Sequence, residues 1–144
     1  MENGNHDYTI RVYAIILNEE NEVLLMDESY RGIYFTKFPG GGLEWGEGLR
    51  DCIVRELDEE LGLKNVSLEQ FYTTDFFVES YFDTTTQVIS VYYKTSIPVS
   101  KRSIKLADHD TRLIGSKWVP LGKLSAADVT FPIDKKVVRM LVES

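Results

Sequence analysis

FPGGGLEWGEGLRDCIVRELDEELGL, residues Phe38 to Leu63, is the most informative stretch of this 144-residue chain. It opens on a proline and three consecutive glycines and runs into a segment dense in carboxylates. Between Glu44 and Glu60 stand seven acids (Glu44, Glu47, Asp51, Glu56, Asp58, Glu59, Glu60) against Arg50 and Arg55, most of the formal net charge of −7. Concentrated like charge costs free energy and asks for a counter-charge, with a divalent metal the first candidate. A solvated helix face is the plain alternative.

Helical geometry weighs against that alternative. The spacing predicts a helix over Leu49–Leu61, with Gly62 as its C-terminal stop. At about 100° per residue, Glu56, Glu59 and Glu60 share one arc roughly 100° wide. Leu49, Cys52 and Ile53 lie on the same arc, so a face that starts apolar ends as carboxylate. Asp51, Arg55 and Asp58 fall opposite and read as the solvent face. The three glutamates are therefore expected in a cleft at the edge of the core, where they cannot all stay ionised without a counter-charge. Hard carboxylate oxygens suit Mg²⁺ or Mn²⁺, and Mg²⁺ is commonly shared with substrate phosphates. The run Gly40-Gly41-Gly42 lets main-chain atoms approach a ligand closely, which beside the carboxylates suggests a phosphate and metal site. Cys52, on the core arc, reads as a small buried hydrophobe.

Outward from this segment, Tyr8–Leu17, Glu22–Met26, Tyr34–Phe38, Leu68–Phe77, Gln87–Thr95 and Lys117–Val119 read as strands, and Ile133–Val142 as a second helix. Pro39 and the glycines read as the stop of the third strand. The expected class is α/β, with helices packed on a largely antiparallel or mixed sheet. Without repeat, linker or low-complexity tract, residues 1–144 are expected to form a single domain. A hydrophobic fraction of 43% is too high for disorder, and the single cysteine excludes a disulfide framework. No apolar run reaches the roughly 18 residues of a membrane span, and the N-terminus lacks the layout of a secretion signal. The expected address is the cytoplasm, with no membrane partner. The acidic balance argues against nucleic acid as a partner.

Counted from Gly41, five residues lead to Glu47, and seven more to Arg55-Glu56-Leu57, Asp58, Glu59-Glu60, Leu61 and Gly62-Leu63. This pattern resembles the Nudix box, with every fixed position matched. The resemblance extends to Phe38-Pro39-Gly40 and, more loosely, to Trp118-Val119-Pro120-Leu121. It implies a Nudix-type α/β/α sandwich with a mixed β-sheet, and hydrolysis of the pyrophosphate bond of a nucleoside diphosphate linked to another group. By the same resemblance Glu56, Glu59 and Glu60 are the catalytic and metal-holding residues, with the Gly40 carbonyl as a further ligand to Mg²⁺ or Mn²⁺. Gly41, Glu47 and Arg55 support the site, Arg55 pairing with Glu47 to brace the loop against the helix. Asp108 and Asp110 lie where relatives often supply another ligand or base, and Tyr30, Arg31 and Tyr81 are candidate substrate contacts.

The expected activity is that of a metal-dependent pyrophosphohydrolase acting on a nucleotide sugar, ADP-ribose, a dinucleoside polyphosphate or a nucleoside triphosphate. A non-catalytic Nudix-fold nucleotide sensor is the alternative. Such sensors usually carry a degraded box or an appended DNA-binding domain, and neither is expected here. An isoprenyl diphosphate isomerase shares the fold, but the extra length and second cysteine expected of it are missing. A homodimer is compatible with the sequence, which carries no feature that requires one.

Overall fold

The computed structural model describes residues 6–98, 104, 106 and 112–143. Its strands are β1 (Asp7–Leu17), β2 (Glu22–Tyr30), β3 (Ile33–Lys37), β4 (Gly40–Gly42), β5 (Glu69–Thr73), β6 (Thr86–Ser96) and β7 (Leu113–Pro120). Two helices, α1 (Leu49–Leu61) and α2 (Pro132–Glu143), cover the sheet. None is long and apolar enough to cross a membrane.

β1 decides the layering. Its second half is buried without interruption, as in a central strand covered on both faces. Because successive side chains point to opposite faces, Val12, Ala14 and Ile16 pack with Cys52, Ile53, Leu57 and Leu61 of α1. Tyr13, Ile15 and Leu17 pack with Val137, Val138 and Leu141 of α2. β2 and β6 divide in the same way: Leu24, Met26, Val91 and Tyr93 toward α1, Val23, Leu25 and Tyr92 toward α2. One sheet between two helices is the expected α/β/α sandwich, and the sheet is mixed because β6 pairs β1 in parallel over the whole of its length.

The sheet forks, and the fork makes the site. β1 and β2 register only at Leu17↔Val23 before diverging. Residues 33–42 fill the opening: β3 pairs with β2 through Lys37, and β4 joins β1 from Gly40. β7 lies along the other edge of β2.

Three expectations are corrected. The glycines do not merely end the preceding strand but form β4, antiparallel to β1 through Arg11↔Gly42 and Tyr13↔Gly40. Only glycine fits there: Gly40 has φ +148, and a Cβ on it would stand 2.1 Å from the Val12 carbonyl oxygen. The strand expected over Leu68–Phe77 stops at Thr73, after an irregularity near Gln70, and Phe76 and Phe77 turn outward into the loop that leads to β6. β2 continues to Tyr30 through the polar Asp27-Glu28-Ser29, because β3 and β7 satisfy its backbone on both edges.

Candidate active site

Helix α1 starts and stops where local chemistry directs. Asp51 Oδ2 accepts the Gly48 N–H at 3.0 Å at its N-terminus. Gly62, at φ 67, closes its C-terminus with its N–H on Asp58 O at 3.0 Å. This fixes the phase of the carboxylates. Glu60 is buried and the Glu56 side chain is 14% exposed, both at the cleft, whereas Glu59 at 56% stands on the outer rim. The expectation that all three would line the cleft is corrected for Glu59.

Arg55 explains the difference. Its backbone position is on the outer side of α1, yet its side chain is only 22% exposed because it folds back over the turn. Nε and Nη2 bind Glu47 Oε2 and Oε1 at 2.6 and 2.9 Å, a bidentate pair. Nη2 also donates to the Gly42 carbonyl at 3.2 Å, and Nη1 stands 3.1 Å from both Glu56 Oε2 and Glu59 Oε1. Glu47 Oε1 in turn accepts the Glu44 N–H at 2.9 Å. One guanidinium thus ties loop, glycine strand and helix together. These bonds hold the Glu47 carboxyl down at about 2 and raise the pKa of Arg55 further.

Across the cleft, Gly41 faces Glu56. A Cβ on Gly41 would lie 2.3 Å from Glu56 Oε2, so the carboxylate occupies the space that the missing side chain leaves. Burial raises the pKa of Glu56, against the pull of Arg55. Burial also pushes the Cys52 thiol up to about 12, in keeping with an inert position beneath the Gly42 carbonyl.

Two cavities meet here. The first, about 340 Å³, lies between β4 and α1 and includes Glu44, Glu56 and Glu60. The second, about 580 Å³, is an aromatic chamber under the loop that leads to β6. Its wall is built around Phe82, whose ring packs 5.2 Å from Tyr30, 5.7 Å from Phe35 and 6.2 Å from Phe131. At its floor the Tyr92 hydroxyl donates to Asp134 Oδ1 at 2.6 Å, and burial lifts the Asp134 carboxyl to about 6. Arg11, Glu28, Lys37 and Arg112 line both cavities and form the waist between them. Arg11 Nε donates to the Tyr13 hydroxyl at 2.8 Å. Lys37, 4% exposed, donates to the Phe38 and Gly40 carbonyls at 3.0 and 3.4 Å and stands 3.2 Å from Glu28.

The structure therefore gathers Gly40, Gly41, Glu47, Arg55, Glu56 and Glu60 around one cleft. Tyr30 and Tyr81 line the neighbouring chamber. Arg31 does not; it sits at the β2–β3 hairpin tip with φ 52, its guanidinium 4.9 Å from the Tyr30 ring. Asp108 and Asp110 lie outside the described residues. Sequence reasoning missed the four waist residues and Asp134. The available signal was a charge set in an otherwise apolar strand, as Arg11 is within YTIRVYAIIL and Lys37 within YFTKF.

Fold and site together define an α/β/α domain whose acidic cleft opens through a charged waist into an aromatic chamber. Residues 7–141 match the NUDIX domain, and the chain belongs to that family. It is 39% identical over 56 residues to the uncharacterized Nudix hydrolase YvcI of Bacillus subtilis (strain 168), a match covering 39% of this chain and 34% of that protein. It is 26% identical over 122 residues to Nudix hydrolase 6 of Arabidopsis thaliana, covering 82% of this chain and 41% of that protein. These matches span well under half of the curated relatives' length. Among solved structures, the MutT protein from Methanosarcina mazei Go1 shares the fold with a TM-score of 0.73 and 24% identity, covering 98% of this chain and 97% of that one.

Proposed function

We propose that this domain hydrolyses the phosphoanhydride bond of a nucleoside diphosphate derivative, with a divalent cation at the α1 carboxylates. The observation that carries this reading is the continuity of the two cavities through Arg11, Lys37 and Arg112. An apolar aromatic chamber suits a planar base. Cations at the waist suit phosphates. A carboxylate cleft beyond them suits the metal that a pyrophosphate brings with it.

Among the described residues no three acidic, imidazole or thiol side chains form a ready-made cage. Arg55 Nη1 instead holds the place of counter-charge between Glu56 and Glu59. The chemistry nonetheless fits: hard carboxylate oxygens gather on one helix, and the cradle over Gly41 is shaped to the Glu56 carboxylate. Glu56, Glu59 and Glu60, with the Gly40 carbonyl, would hold Mg²⁺ or Mn²⁺. When bound, such a cation withdraws charge from the pyrophosphate and acidifies a bound water.

The chain's own residues supply the rest. Arg11 and Arg112 take non-bridging phosphate oxygens at the waist, and Lys37 adds a fixed charge behind them. The aromatic wall holds the base and keeps bulk water out. Glu56, held against Gly41, accepts a proton from the attacking water. Water adds to phosphorus, the anhydride P–O bond breaks, and a nucleoside monophosphate and a phosphorylated remainder leave. Arg55 and Glu47 keep Glu56 aimed at Gly41 throughout.

The test is a turnover screen with Mg²⁺ and with Mn²⁺ across ADP-ribose, nucleotide sugars, dinucleoside polyphosphates and nucleoside triphosphates, products resolved chromatographically. Metal-dependent release of a nucleoside monophosphate supports the reading. Tight binding without turnover replaces it with a ligand sensor.

A further inference from the structure

Three of the four side chains that line the waist are cations, and the fourth is Glu28. A carboxylate in a passage for phosphates is an electrostatic cost that needs a reason. Glu28 is 6% exposed, and its Oε2 accepts no hydrogen bond among the described residues. Lys37 Nζ pairs with Oε2 in charge at 3.2 Å, while two of its three N–H groups donate to the Phe38 and Gly40 carbonyls. The carboxylate is thus neutralised while its acceptor capacity stays largely unspent. An acceptor of that kind repels a phosphate and suits a neutral hydroxyl donor.

On the nucleotide reading above, on which this inference rests, the base occupies the aromatic chamber and the phosphates run from the waist cations into the acidic cleft. The sugar, which joins base to phosphates, then lies at the chamber side of the waist, beside Glu28, which lines both cavities. We propose that Glu28 accepts hydrogen bonds from the ribose hydroxyls, and that the domain thereby selects ribonucleotides over 2′-deoxyribonucleotides. A deoxy substrate leaves this buried acceptor unmatched. A site built to bond a hydroxyl discriminates strongly against the analogue that lacks it.

The test compares kcat/KM for base-matched pairs, ATP with dATP and GTP with dGTP, so that recognition of the base cancels. Wild type is expected to favour the ribonucleotide roughly tenfold or more. In Glu28→Met, which keeps the side chain's length and removes the acceptor, that ratio falls to near unity. Because Glu28→Met leaves Lys37 buried without its partner, the double variant Glu28→Met, Lys37→Met removes the pair together and is the second arm, since an apolar replacement of a buried pair is commonly tolerated. Calorimetric binding of AMP against dAMP supplies a readout independent of turnover, with the same loss of preference in both variants. A wild-type ratio near unity, or one that both variants preserve while losing stability, overturns the assignment and leaves Glu28 a structural partner of Lys37. Turnover and binding of no nucleotide at all would overturn the nucleotide reading itself, and the role of Glu28 with it.

Discussion

The substitutions Gly41→Ala and Gly40→Ala separate the chemistry of the glycine strand from its architecture. At Gly41 the added Cβ would stand 2.3 Å from Glu56 Oε2, 2.5 Å from its Cδ and 2.8 Å from its Oε1, and these three nearest atoms all belong to that carboxylate. The far end of a flexible side chain can swing aside. Doing so breaks the 3.1 Å bond to Arg55 Nη1, a charge-assisted contact worth about 1.5–3 kcal/mol when well sheltered and less at this partly open site. Replacing glycine returns about 0.4–1 kcal/mol through the unfolded chain. The net loss is on the order of 1 kcal/mol, or roughly 2–4 °C in melting temperature for a domain of this size. Gly40 offers no such escape: its Cβ would meet the Val12 carbonyl oxygen at 2.1 Å and the Tyr13 Cα at 2.7 Å, at a φ of +148. Backbone must move and β4 must part from β1, at a cost of about 3 kcal/mol or more. Paired thermal melts, Mn²⁺ titration by calorimetry and turnover check both variants. Gly41→Ala should fold nearly as well as wild type with metal affinity and turnover greatly reduced, because Glu56 has been displaced. If Gly41→Ala melts as low as Gly40→Ala, or turns over at the wild-type rate, the cradle for Glu56 is refuted.

Further outcomes follow from the same geometry. Arg55→Ala removes the bidentate bond to Glu47 and the counter-charge of Glu56 and Glu59, and should cost about 2–4 kcal/mol in chelator; Mn²⁺ should restore more stability to it than to wild type, and an unchanged denaturation midpoint would refute the brace. Asp134 is neutral when buried below about pH 6 but ionises near pH 4 when unfolded, so its contribution to stability is full below pH 4 and is lost as pH rises through 6. Asp134→Asn keeps an acceptor for Tyr92 and should gain on wild type between pH 4 and 7, by up to about 3 kcal/mol, in urea titrations at stepped pH; a difference independent of pH would contradict this. Cys52, buried with its thiol near 12, should resist alkylation in the native protein, and Cys52→Ala should cost about 1–2 kcal/mol without altering the metal requirement.

What could be read from the sequence was what local chemistry decides. Helix α1 runs from Leu49 to Leu61 and stops at Gly62 because periodicity and a left-handed C-cap act within a few residues. β1 declared itself by its β-branched and aromatic residues and the apolar run from Val12 to Leu17, and the box pattern located the cleft. Tertiary placement was hidden. Gly40–Gly42 carries no strand propensity and is a strand only because β1 lies alongside and tolerates no Cβ between them. Helical phase set Arg55 outside, and a side chain long enough to fold back over a turn brought it in. The waist needed knowledge of pairing, since Arg11, Glu28 and Lys37 come from three strands that meet only at the fork. The aromatic chamber joins Phe35, Phe82 and Phe131, which are remote in sequence. Of the aromatics from Phe71 to Phe82, sequence patterning assigned too many to a strand.

The central claim is that Glu59 and Glu60 complete, with Glu56, a cation site that drives phosphoanhydride hydrolysis. Its most direct test is thermal melting of wild type and Glu60→Gln in chelator and in millimolar-range Mn²⁺, paired with turnover of the best substrate from the screen. Wild type should gain roughly 2.7 kcal/mol at a hundred dissociation constants of Mn²⁺. Glu60→Gln should be folded in chelator, gain little from Mn²⁺, and turn over more slowly by orders of magnitude. Equal metal-induced shifts in both proteins with activity retained would contradict the account.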